Sequence, residues 1–183
     1  AIVAEGFEAG GHNGREETTT LCLIPAVREA TTLPLIAAGG IGTGEAIFAL
    51  MALGAEGVQM GTRFALTDES SASDIFKEYC LRLNEGDTKL LLKKLAPTRL
   101  GTNSFRDRVE AAEGRGASAE ELRELLGRGR AKKGIFEGDL EEGELEIGQV
   151  AALFRRRQSV DEVMKELLEG YRRASDKIRS AGL

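Results

Sequence analysis

The chain has 183 residues, 42% hydrophobic and 30% charged, the make-up of an ordinary soluble globular protein with room for one good core. A net charge of −5 excludes a strongly basic nucleic-acid face, and no apolar run reaches the ~20 residues of a membrane span. Cys22 and Cys80 have no CxxC spacing and there is one histidine, His12, so no metal site is expected and both thiols read as free and buried in a reducing cytoplasm.

In chain order, three short apolar runs each lead into a glycine loop: AIVA before EGFEAGGHNG, LPLIAA before GGIGTG, and AEGVQM before GTRF. The chain opens inside the first run, which reads as a start in mid-fold. TTTLCLIPAVREA follows as a helix with Leu21, Ile24, Pro25 and Val27 on one face, provided Pro25 falls in the first turn. GEAIFALMALG is a second helix, with Gly54 as its C-cap. Strand, glycine loop, helix, strand predicts right-handed βαβ units around a buried parallel sheet.

From about Ser70 the texture changes. SASDIFKEYCLRL predicts an amphipathic helix with Ile75, Phe76, Tyr79, Cys80 and Leu83 inward. KLLLKKLAPTRL is ambiguous: its apolar run suggests a strand, which Pro97 ends. The charged stretch from Ser104 is helical, with a capping box at Ser118 and Glu121 and a stop at Gly127. FEGDLEEGELEIGQ reads as loop, with Glu141 and Glu142 in solvent. The last helix has a capping box at Ser159 and Glu162 and an apolar stripe of Val160, Val163, Met164, Leu167, Leu168 and Tyr171. Three regions result: residues 1–69 a partial (β/α) barrel with the ligand loops, 70–157 a mainly helical, lid-like subdomain, and 158–183 a helix packing back on the barrel.

In parallel α/β folds ligands bind beyond the C-terminal strand ends, where all three glycine clusters lie. Paired βα loops of this kind hold phosphate on main-chain N–H groups, because a Cβ would keep the backbone from the oxygens. Gly39, Gly40 and Gly61 would supply amides and Thr62 a hydroxyl; tight turns alone would also account for either loop singly. His12, flanked by glycines, is the candidate proton-handling group, set against a purely structural histidine.

Together, EGFEAGGHNG, LPLIAAGGIGTGEA and AEGVQMGTRF resemble the flavin-dependent family of nitronate monooxygenases (2-nitropropane dioxygenases) and flavin-type enoyl-[acyl-carrier-protein] reductases. The resemblance runs the length of the chain but covers the C-terminal part of the family's domain. It implies strands six to eight of a (β/α)8 TIM barrel plus a mainly helical subdomain. It implies FMN as cofactor, with Glu5, Gly10 and Gly11 along the flavin and Gly39, Gly40, Gln59, Met60, Gly61 and Thr62 at its phosphate and ribityl chain. His12 takes the catalytic position. AEG at Ala4–Gly6 and the Lys132–Gln149 stretch are similar to the reductases, which implies NADH or NADPH as co-substrate and a 2-enoyl thioester on acyl carrier protein as substrate. The alternatives are oxidation of small alkyl nitronates with O2, and a non-catalytic barrel fragment completed by a partner. A homodimer or the missing N-terminal barrel half is the expected partner. Arg128, Arg130, Lys132, Lys133 and Arg155–Arg157 read as solvated charge before they read as a carrier-protein dock.

Overall fold

A computed structural model describes residues 1–182. The first part runs β1 (Ile2–Glu5), a two-residue β2 (Gly11–His12), α1 (Thr20–Ala30), β3 (Leu35–Ala38), α2 (Gly44–Ala52), β4 (Gly57–Gln59) and the one-turn α3 (Thr62–Ala65). There follow α4 (Asp74–Cys80), the hairpin β5 (Thr88–Leu91) and β6 (Thr98–Gly101), α5 (Ser104–Gly114), α6 (Ala119–Leu126), α7 (Arg130–Ile135), a 3₁₀ turn over Gln149–Leu153, and α8 (Val160–Ser180).

The three expected strands form one parallel sheet in the order β1-β3-β4, with Glu5 opposite Ala38 and Ala38 opposite Gln59. This register brings the three strand ends, and the loops after them, to one edge. Ile24 of α1 and Leu50 of α2 pack with Ala4, Leu35 and Ala37 of the sheet. Thr43 caps α2 by accepting from the Ala46 N–H at 3.2 Å. Gly54, at φ +105°, closes it as expected: its N–H donates to the Met51 carbonyl, and that of Ala55 to Leu50, each at 3.0 Å.

Several expectations are corrected. Pro25 is the sixth residue of α1, not in its first turn, and Leu21 and Cys22 on the same helix are exposed, so only Cys80 is a buried thiol. KLLLKKLAPTRL resolves as the β5–β6 hairpin. All four residues of β6 are buried, which is why no polar–apolar alternation marked it as a strand. His12 is not on a free loop: β2 pairs antiparallel with β6, Gly11 opposite Arg99 and His12 opposite Thr98. In α4, Phe76 and Cys80 are inward as expected, but Ile75 is exposed and Lys77 is buried, its Nζ donating to the Asp68 and Ser70 carbonyls at 3.2 and 2.8 Å.

The acidic segment is irregular, as expected, yet Glu144, Leu145 and Ile147 are buried, and Leu100 and Glu146 form an antiparallel bridge. Glu142 is ion-paired with Arg108 and Arg130. Both capping boxes form. On α8, Val163 and Leu167 are buried whereas Met164 and Leu168 are exposed, so the buried face is narrower than the apolar stripe.

Candidate active site

The strand-end residues converge. Glu5, Gly10, Gly39, Gly40, Gln59, Met60, Gly61 and Thr62 line one cavity of about 250 Å³. Glu5 closes β1, Gly39 and Gly40 follow β3, and Gln59 to Thr62 run from β4 into α3. Apolar walls come from Ile41, Ile135, Ile147 and Val150. The N–H groups of Gly40, Ile41 and Gly61 donate to no main-chain carbonyl among the described residues, so they are available to an acceptor in the cavity. The Thr62 hydroxyl accepts from the Gly148 N–H at 3.0 Å, which leaves its own proton to donate.

The test of fit for a phosphate-bearing cofactor lies at Gly61. Gly61 lines the cavity, and a Cβ there would meet nothing within 4 Å, so no protein atom occupies the space beside it. The cavity is below the ~300 Å³ typical of a drug-sized ligand site, so it suits a phosphate and ribityl chain rather than a whole flavin. A larger cavity of about 510 Å³ lies between α2 and α8. Three of its arginines, Arg63, Arg156 and Arg173, are paired with Glu166 and Glu45, and the fourth, Arg155, donates to the Leu83 and Phe154 carbonyls.

Gly11 and His12 do not line the cavity. His12 is exposed at the end of β2, and the Asn13 N–H donates to the Pro97 carbonyl at 2.7 Å, tying the His loop to the hairpin. Glu8, expected beside the anion, is instead turned to α1, where its carboxylate accepts from the Thr20 N–H and hydroxyl, both at 3.0 Å. Buried Arg99 clamps the loop from the other side: its Nε and Nη2 donate to the Phe7 carbonyl at 3.1 and 2.6 Å.

Two carboxylates escaped the sequence reading. Glu146 lines the cavity, and Glu144, two residues earlier, is buried. The E-x-E spacing inside GELEIG was the available signal. Burial raises the Glu144 carboxyl to about 7, the Glu146 charge adding to the rise and Arg130 opposing it. Burial also raises Glu146, opposed by the charge of His12, and raises Glu5.

The family model for nitronate monooxygenases matches residues 1–170. The chain belongs to the nitronate monooxygenase family. Probable nitronate monooxygenases of Staphylococcus haemolyticus and Staphylococcus saprophyticus are 44% and 43% identical over 96 residues, which is 48% of this chain and 27% of each relative. FabK from Thermotoga maritima superposes with a TM-score of 0.91 at 35% identity, covering 98% of this chain and 57% of that one. A nitroalkane oxidase from Streptomyces ansochromogenes gives 0.77 at 29% identity, covering 96% and 53%. The chain thus spans little more than half of these structures, and its parallel β/α units are a sector of the α/β barrel that they share.

Proposed function

We propose that the protein is an FMN-dependent oxidoreductase acting as an enoyl-[acyl-carrier-protein] reductase in the cytoplasm, with NADH or NADPH as co-substrate. The observation that carries this reading is the convergence of three strand ends on a cavity with undonated main-chain amides and an unobstructed Gly61. Gly39, Gly40, Gly61 and Thr62 would hold the phosphate, Gln59 and Met60 the ribityl chain, and Glu5 and Gly10 the approach to the ring. FMN, when bound, supplies the hydride relay from nicotinamide to a 2-enoyl thioester. Ile41, Ile147 and Val150 exclude water from the anion's surroundings, which strengthens each N–H contact. His12, outside the phosphate cavity on β2, handles the proton on the substrate side.

The likeness to FabK, over 98% of the chain, supports the reductase reading. Curated relatives named as probable nitronate monooxygenases support the second reading, oxidation of alkyl nitronates with O2. Self-association, or a chain adding strands beside β1 and β4, would cover the open edges of the parallel sheet.

The test is a flavin spectrum of the purified protein, followed by NADH consumption with a crotonyl thioester and oxygen uptake with an alkyl nitronate. Flavin bands with thioester-dependent NADH loss support the reductase; oxygen uptake alone moves the assignment to the monooxygenase. A colourless protein inactive in both assays, even with added FMN, overturns both in favour of a non-catalytic module. His12→Ala should lower turnover by about 10²- to 10⁴-fold with flavin retained.

A further inference from the structure

The charges in the wall of the cavity between α2 and α8 do not cancel. Arg63, Arg155, Arg156 and Arg173 line it together with Glu45 and Glu166. Glu166 is shared, its Oε2 lying 2.6 Å from Arg63 and its Oε1 3.0 Å from Arg156. Glu45 lies 3.2 Å from Arg173. Among the described residues Arg155 donates only to main-chain carbonyls, those of Leu83 and Phe154, at 3.1 and 2.9 Å. Two carboxylates thus face four guanidinium groups that stay charged at every accessible pH. Arg63 sets this cavity apart from a solvated surface. It is 6% exposed, where a charge is costly unless its N–H groups find acceptors. Both of its hydrogen bonds, to Gln158 and Glu166, come from Nη2. Its Nε is buried with no partner among the described residues, and the guanidinium stands over the Phe154 ring at 4.3 Å.

We propose that this cavity binds the phosphate group of a small molecule through Arg63, Arg155 and Arg156, as a second anion site separate from the one at the strand ends. The planar N–H fork of arginine matches phosphate oxygens in pairs, and the excess of positive charge calls for a dianion. Leu153, Phe154 and Leu167 supply apolar wall, which reduces solvent screening of that attraction. A volume of about 510 Å³ leaves room for more than the phosphate itself. The two cavities lie on either side of the same loops: Ile41 and Thr62 line the one at the strand ends, and their neighbours Gly42 and Arg63 line this one. The site stands whether or not the protein turns over a thioester or a nitronate.

The test is calorimetric titration of the full chain with inorganic phosphate and, separately, with ribose 5-phosphate, in phosphate-free buffer. Saturable binding is expected. It should weaken about tenfold or more in the double variant Arg155→Gln, Arg156→Gln, both positions being exposed. Thermal unfolding in the same buffer checks that this variant is folded, and Arg156→Gln alone replaces it should it not be. Gly61→Ala, which alters the strand-end cavity, should bind phosphate as the unaltered protein does. Tighter binding of ribose 5-phosphate makes the ligand a phosphomonoester, and equal binding makes it the free anion; either supports the site. No saturable binding of either compound, or binding unchanged in the arginine variant, overturns the proposal. Loss of binding in Gly61→Ala overturns it too, by placing the anion at the strand ends.

Discussion

Gly39 has a φ of +92°, and a Cβ on it would sit 2.5 Å from the Gly6 carbonyl oxygen, so the turn demands glycine whatever binds beside it. Gly10 is held to glycine by packing, its missing Cβ falling 2.4 Å from the Ile147 carbonyl carbon. Gly61 has an ordinary φ of −89° and open space beside it, so neither strain nor packing demands glycine there, and the proposed ligand would. The two variants Gly39→Ala and Gly61→Ala should therefore separate. Gly39→Ala should cost about 3 kcal/mol or more through strain and overlap. Gly61→Ala should cost under about 1 kcal/mol while weakening FMN binding tenfold or more. Urea unfolding and flavin titration of both proteins check this, and equal stability losses would remove the ligand argument at Gly61. In the sequence these glycines are indistinguishable: the spacing after each strand located the loops, but backbone angle and the neighbour across the gap appear only once β1, β3 and the 146–148 segment are brought together.

Helices α2 and α8 cross through glycine. A Cβ on Gly44 would lie 2.1 Å from the Leu167 carbonyl oxygen and 2.2 Å from the Tyr171 N, and one on Gly170 would press on the Glu45 carboxylate at 2.7 Å. This closeness buries Val163 and Leu167 and leaves Met164 and Leu168 outside, so periodicity alone overstated the packed face. Gly44→Ala must push the helices apart, because the obstacle is backbone rather than a movable side-chain end. It should destabilise by about 3 kcal/mol, read as a lower urea midpoint at unchanged slope. The elements that sequence made plain are those with local signals: the parallel strands, the Gly54 cap, and the boxes at Ser118 and Ser159. The β5–β6 hairpin was not legible because β6 is buried throughout, and the placement of Glu144 and Glu146 was not because it follows from the bridge between Leu100 and Glu146, more than forty residues apart.

Two sets of carboxylates have pH effects that oppose each other. Glu142 is held below its ordinary value by Arg108 and Arg130, and Asp139 and Glu121 by main-chain N–H groups. Their stabilisation is present above the ordinary carboxylate range and is lost as pH falls through their lowered values. Glu5 and Glu146, which line the cavity, and buried Glu144 are raised by burial. For these the sign reverses. The folded protein keeps protons that the unfolded chain has released, so the stabilisation is full below the ordinary value and fades as pH rises. For Glu144 that window runs from 4.5 to about 7. Without added flavin, stability should therefore peak near pH 4–5 and then decline toward pH 7 by on the order of 1–2 kcal/mol, reduced from the ideal linkage value by residual solvation. Urea midpoints measured from pH 3 to 8 give the curve. Glu144→Gln removes the ionisable group while keeping its shape, and should flatten most of the decline above pH 4.5 without changing the acid side. If that variant kept the full decline, the protons released on unfolding would come from Glu5 or Glu146 instead, and Glu144 would be ionised in the folded protein at neutral pH through its Arg130 neighbour.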